Sequence, residues 1–341
     1  MIAQLRALIE SADSIAITSH YNPDPDAVGS SLTLYNILYR TYPDKHFVIS
    51  LDGEVGEFAN TFENISVIKN QAFLTTLQES HADLAIFTDA SGYSRFSRDD
   101  PEALKNFIRD QHIVTACIDH HETDGTSKFD WYYNHTSSSC SEDIAVVLQQ
   151  NSYEFTRDDL FVVLVGMISD TGRFLYPNNH PGQTIEILTV MFYQGLTIME
   201  ANAVLESITV ADADILSLTL QHLEVHEGYN ISWLTDDQVA TMILKAGGNE
   251  KFSKGMHGFI NSYVRQVSGT NFGFVVYKSP DKQGFYKCSF RSDGSVDCNQ
   301  VGGLLGGGGH VGAAACLVQA DTLEEAKKLI IQVVETYLQK D

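Results

Sequence analysis

Basic residues are scarce in this 341-residue chain. Twenty-two lysines and arginines stand against 44 aspartates and glutamates, a formal net charge of −22. The shortage is uneven: through residue 229 there are 11 bases and 33 acids, and from residue 230 onward 11 of each. A long polyanion would be repelled by the first part unless cations intervene, which disfavours a non-specific duplex-DNA binder and leaves room for a short anionic ligand held by bound metal and a few basic side chains on the neutral part. Cysteines are few as well. The five (Cys117, Cys140, Cys288, Cys298 and Cys316) are scattered, odd in number and without a C-x-x-C pair. A reduced, cytoplasmic protein with cysteines as small core residues fits that usage. No apolar run approaches the roughly 20 residues that span a bilayer. The N-terminal "MIAQLRALIESADS" carries acids inside its apolar pattern and no cleavable signal, so no membrane association is expected.

What is present is ordinary globular composition, 43 % hydrophobic and 19 % charged, with a length that suggests two domains. "SIAITS" (14–19), "HFVIS" (46–50), "DLAIFTD" (83–89) and "HIVTACID" (112–119) are apolar runs of strand length. Helical patterns alternate with them, as in "AVGSSLTLYNILYR" and "PEALKNFIRD". The alternation predicts an α/β fold with a parallel sheet. A helix-rich stretch follows from about 141 to 222. From about 229, "YNISWLT", "FGFVVYK" and "GFYKCSFRS" read as strands. "GFINSYVRQV" and "DTLEEAKKLIIQVVETYLQ" read as helices of a second, smaller α/β domain.

Three strands end in polar residues. The first runs into "SHYNPDPDAVGSSL", with His20, Asp24 and Asp26 inside seven positions. Another ends at Asp89, and another at Asp119-His120-His121. The apolar helix "LFVVLVGMISDTGRF" delivers Asp170 and then Arg173, which can reach a site or meet the helix C-terminus. Ligands of open α/β sheets lie outside the carboxyl ends of the strands. Six carboxylate and imidazole groups (His20, Asp24, Asp26, Asp89, His120, Asp170) exceed one structural zinc site and suit Mn²⁺ or Mg²⁺. Two divalent ions with a bridging carboxylate would cancel the repulsion among the acids and suit phosphoryl transfer. His121 is left over to bond a phosphate or protonate a leaving alkoxide. His135, in "YNHTSSS", is open to either an ordinary role or a contact with substrate. In "GGLLGGGGHVGAAA" (302–315), bare glycine backbone can approach an anion, with His310, Arg265 and Arg291 to bind a terminal phosphate. Each cue alone has an ordinary explanation; their joint occurrence in one chain does not.

"SHYNPDPDAVGSSL", "FTDAS", "IDHHETD" and "ISDTGRF" resemble the four motifs of the DHH phosphoesterase family. "SFRSDGSVDCNQVGGLLGGGGHVGAAAC" is similar to the DHH-associated C-terminal domain. The resemblance spans about 14 to 318 and is nearest to the nanoRNA-degrading, pAp-dephosphorylating branch. It implies a DHH catalytic domain over 1–190, a helical connector over 191–228 and a substrate-binding domain over 229–341, with the active site in the interdomain cleft. It further implies one ion, Mn²⁺, at His20, Asp24 and Asp89, and a second at Asp26, Asp89, His120 and Asp170, with a bridging hydroxide attacking phosphorus in line. Asp119 would orient a histidine. Arg265, Arg291, Gly308, Gly309 and His310 would hold the far end of the substrate. The implied activity is hydrolysis of short oligoribonucleotides or 3′-phosphoadenosine 5′-phosphate. Competing activities are a linear dinucleotide phosphodiesterase of the pApA type, an inorganic pyrophosphatase and a non-catalytic nucleotide sensor. A homodimer is open. Two departures stand out: Pro25, where family members often carry glycine, and Cys140, where a small hydroxyl residue is expected.

Overall fold

The structure, a computed structural model, describes residues 2–121, 128–175, 178–205, 208–264 and 266–339. The chain divides into two compact units, Met1–Ser207 and Ile208–Asp341. The helices of the expected connector fall on both sides of that division.

The first unit is built on six parallel strands: β1 (Ser14–Thr18), β2 (His46–Leu51), β3 (Ile68–Asn70), β4 (Leu84–Thr88), β5 (Val114–Asp119) and β6 (Trp131–Asn134). Their spatial order is β3-β2-β1-β4-β5-β6. Strands β1, β4 and β5 are almost wholly buried, as expected of a parallel sheet covered on both faces. The helices are α1 (Ile2–Ser11), α2 (Pro25–Thr41), α3 (Phe73–Ser80), α4 (Tyr93–Phe96), α5 (Pro101–Asp110), α6 (Cys140–Gln150), α7 (Arg157–Asp170), α8 (Pro181–Tyr193) and α9 (Ile198–Leu205). Helices α1, α2 and α6 pack on one face through Ile9, Leu34 and Ile144 against Ile15, Ile17, Ile86 and Ile118. Helices α3 and α5 cover the other through Phe73, Leu77, Leu104 and Ile108. The order reverses between β1 and β4, the switch point of a doubly wound sheet, where strand ends splay to leave room for a ligand.

Both departures have local explanations. Pro25 opens α2, with Asp24 as N-cap accepting from the N–H groups of Asp26 and Ala27. A first-turn proline needs no partner for its missing N–H, and its fixed φ suits a helix. Cys140 opens α6, where the backbone N–H does the work and the buried thiol merely donates to Ile118 O.

The second unit carries a mixed sheet of β7 (Glu224–His226), β8 (Tyr229–Trp233), β9 (Phe272–Lys278), β10 (Phe285–Ser292), β11 (Gly308–His310) and β12 (Ala313–Gln319), ordered β11-β12-β10-β9-β8-β7. Only β8 and β9 pair in parallel. Its helices are α10 (Val210–Gln221), α11 (Asp236–Ala246), α12 (Asn249–Ser262), α13 (Cys298–Leu304) and α14 (Leu323–Leu338). Helix α12 starts well before the expected "GFINSYVRQV". Gly255 and Gly258 disguise its apolar stripe of Phe252, Met256, Phe259 and Ile260. A Cβ at Gly255 would stand 2.5 Å from Asp212 Oδ1 of α10, so glycine there lets two helices close up. All five cysteines are buried and free. Among the described residues, no single helix is long and apolar enough to cross a membrane.

Candidate metal centre

The carboxyl edge of the parallel sheet gathers the six expected ligands. His20 follows β1, Asp24 caps α2 and Asp26 lies in its first turn. Asp89 follows β4, His120 follows β5, and Asp170 ends α7. Asp26, Asp89 and His20 are buried (0 %, 2 % and 5 % exposed). Asp89 is a non-glycine residue in the left-handed region (φ 60°), with its N–H held by Ile118 O on the neighbouring strand. Such strain persists where surrounding structure over-determines it, often at functional sites.

Asp89 faces two ways. Its Oδ2 lies 3.4 Å from His20 Nε2, which is 3.8 Å from Asp24 Oδ2. Its Oδ1 lies 3.4 Å from His120 Nε2, which is 3.3 Å from Asp170 Oδ2 and 4.0 Å from Asp26 Oδ2. Two groups with metal-ligand spacing result, His20–Asp24–Asp89 and Asp26–His120–Asp170, joined by the Asp89 carboxylate. Asp89 Oδ1 and His120 Nε2 are buried and face each other without a hydrogen bond. Orphaned buried polar atoms at the centre of a donor set fit a cation that takes both as ligands. The His20 and His120 rings are aimed from their other nitrogens, Nδ1 lying 3.0 Å from Tyr21 O and 3.3 Å from Ser137 O respectively.

The electrostatics agree. Burial disfavours charge on His20, but contacts with Asp24 and Asp89 outweigh it and push the ring up to about 10. His120 is pushed up to about 10 against the same burial by Asp89, Asp26 and Asp170. Burial would raise Asp89, yet the two histidines hold it down to about 2. Burial, then the neighbouring acids, push Asp26 up to about 7 and Asp170 up to about 8. The cluster thus holds protons where a divalent ion would put positive charge.

His121 is half-exposed, its Nδ1 2.8 Å from Oδ1 of the fully buried Asp119. Asp119 also accepts from the His121 N–H. His121 Nδ1 lies 3.8 Å from Asp89 Oδ1, close enough to form a third possible donor group with Asp89 and His120. Its shorter contact with Asp119 favours an oriented ring over a ligand. Arg173 is exposed and donates from Nε to Asn202 Oδ1 of α9. His135 stacks on His180, centroids 4.2 Å apart.

In the second unit, Gly308, Gly309 and His310 form the exposed edge strand β11. The register puts His310 opposite Ala313, which lies opposite Arg291 on β10, so both side chains belong to one row of the sheet. Arg265 lies outside the described residues. Burial and the charges of Lys287 and Arg291 hold His257 below its ordinary value, which adds His257 and Lys287, not singled out from the sequence, to the expected Arg291.

The N-terminal domain of the DHH family matches residues 14–167, and the DHHA1 domain matches residues 236–336. The chain belongs to the DHH family. This DHH protein is 22 % identical to the bifunctional oligoribonuclease and PAP phosphatase NrnA of Thermus thermophilus, covering 99 % of this chain and 94 % of that one. It is 24 % identical to the cyclic-di-AMP phosphodiesterase PdeA of Listeria monocytogenes across 98 % of its own length but only 49 % of the relative's. A solved exopolyphosphatase-related protein of Bacteroides fragilis shares the fold, with TM-score 0.83 and 22 % identity over 100 % of this chain and 97 % of that one.

Sequence reasoning missed what supports the expected ligands of the DHH protein. Asp26 Oδ2 and Oδ1 accept from the N–H groups of Cys140 and Ser141 at the start of α6, at 2.7 and 2.9 Å. Gly166 of α7 has no room for a side chain: a Cβ would meet Ser141 Oγ at 2.1 Å and Asp26 Oδ1 at 2.9 Å. A glycine inside an apolar helix was the available signal.

Proposed function

We propose that this DHH protein is a metal-dependent phosphoesterase that hydrolyses short oligoribonucleotides and 3′-phosphoadenosine 5′-phosphate, with Mn²⁺ as its ion. The observation that carries this reading is the Asp89 carboxylate, turned toward a different histidine–aspartate group through each oxygen, with Oδ1 and His120 Nε2 unpaired. A bound pair of divalent ions would supply Lewis acidity and activate water there. His20, Asp24 and Asp89 would hold one ion; Asp26, Asp89, His120 and Asp170 would hold the other. The α6 N–H groups fix Asp26. His121 would pass a proton from Nε2 to the leaving oxygen while Asp119 steadies the charged ring. Arg291, His310 and the Gly308–Gly309 backbone would bind the terminal phosphate, together with Arg265. Arg173 would serve the substrate from beyond α7. The NrnA relative, matched over nearly its whole length, supports this substrate class. The neutral charge and glycine edge of residues 230–341 disfavour pyrophosphate, whose dense charge calls for many cations.

The test is a substrate panel on chelator-stripped enzyme with and without added Mn²⁺: pAp, RNA of two to five nucleotides, linear pApA and pyrophosphate. Stripped enzyme should be inactive. Restored enzyme should cleave pAp and the short RNAs and leave pyrophosphate intact. Full activity without metal, or a ligand bound tightly and never hydrolysed, would overturn the reading.

A further inference from the structure

One guanidinium beside Tyr21, the residue after His20, has no part in the scheme above. Arg95 lies on α4, six residues beyond Asp89, and its carbonyl accepts the N–H of Tyr21, the residue after His20, at 2.9 Å. Its side chain is exposed and stands 5.7 Å from the centre of the Tyr21 ring. A second arginine, Arg98, lies 5.5 Å from the same ring. The two differ in their other partners. Arg98 donates to Asn22 Oδ1 at 2.6 Å and lies 3.8 Å from Asp52 Oδ1, so it ties down the loop between His20 and Asp24. Arg95 has no carboxylate partner among the described residues. Its stretch of the chain, through residue 229, has three acids for every base.

A guanidinium resting on an aromatic ring keeps its N–H donors free to form a fork on a phosphate. The main-chain bond ties α4 to the loop that follows β1, and the ring contact places that fork beside Tyr21, next in the chain to His20. The terminal phosphate already has Arg291, His310 and the glycine edge in the proposed scheme, and the scissile phosphate has the ions. We infer that Arg95 binds a further phosphate of the substrate, the one following the scissile bond in chains of three or more nucleotides. This inference rests on the phosphoesterase reading. Arg95 then sets the preference for substrate length, independent of base identity, as phosphate contacts do.

The test compares steady-state kinetics on pApA and pApApA for the wild type, Arg95→Ala and Arg95→Lys, with Mn²⁺ present. Arg95→Ala should raise KM for pApApA about tenfold or more, with an effect on pApA at least fivefold smaller and kcat on both within about threefold. Arg95→Lys should recover part of the loss, because a point charge replaces a fork. Arg98→Ala should lower the melting temperature and leave the ratio of the two KM values unchanged. Equal effects of Arg95→Ala on both substrates, a loss confined to kcat, or no effect would overturn the inference while the phosphoesterase reading stands. A wild type that cleaves neither substrate would overturn both.

Discussion

At the carboxyl edge of the first sheet, the polar groups are charged side chains gathered around the buried Asp26 and Asp89, crowded until, among the described residues, Asp89 Oδ1 and His120 Nε2 have no hydrogen-bond partner. At the β11 edge of the second sheet they are main-chain groups of the exposed Gly308 and Gly309, the Gly309 N–H donating to Asn299 Oδ1. The first arrangement depends on which charges are present and on what neutralises them. The second depends on the absence of side chains. Substitutions should therefore act on the two regions through different quantities, chemistry in one and backbone packing in the other.

Asp89→Asn should break the comparison on the first side most severely. It keeps the volume, removes the shared charge, and should cut turnover by roughly three orders of magnitude or more with the fold retained. Turnover with Mn²⁺ beside a far-ultraviolet dichroism spectrum checks both halves. Gly307→Ala should act on the second side through structure alone. Its Cβ would sit 2.2 Å from Ala315 O and 2.5 Å from Cys316 Cβ, forcing β11 from β12 at a cost of about 1–3 kcal/mol. Urea unfolding measures it, and a midpoint like the wild type's would contradict the packing argument.

Asp143 sharpens the comparison inside the first unit. It is fully buried, neither carboxylate oxygen makes a well-formed hydrogen bond among the described residues, and burial outweighs the nearby Ser137 and His120 to push it up to about 7. Asp89, equally buried, is held at about 2 because two histidines face it. A carboxyl raised in the folded state favours folding while protonated. That contribution is complete below the unfolded value of 3.8 and is lost as pH rises through about 7. Asp143→Asn cannot ionise, so its stability relative to the wild type should climb between pH 4 and 7 and level off above, by about 1 kcal/mol or more. Melting temperatures across that range check the sign; a gain that shrinks with pH would refute it.

The strand ends were legible because their chemistry sits in short segments: His20 to Asp26, Asp89, Asp119 to His121. Apolar runs lead into most of them, and runs of this kind specify strands with little ambiguity. Pro25 looked like an anomaly only until the helix boundary was known. The supports were less legible for a physical reason. Cys140 and Ser141 act on Asp26 through main-chain N–H groups, which carry no residue signature. Gly166 acts by having no side chain. Strand β6 has four residues, too short for periodicity to show, and α12 hid behind two glycines. Arg95 and Arg98 differ only in their surroundings, which spacing along the chain does not reveal.

The donors around Asp89 come from four separate stretches of chain, 20–26, Asp89, His120 and Asp170, which meet only when the sheet has closed. An unfolded chain offers an ion no comparable grip, so binding acts almost wholly on the folded form, adding stability by the logarithm of ion concentration over dissociation constant. A cell running short of that ion would lose the protein's resistance to unfolding together with its turnover, and proteolysis would then remove the idle chains first.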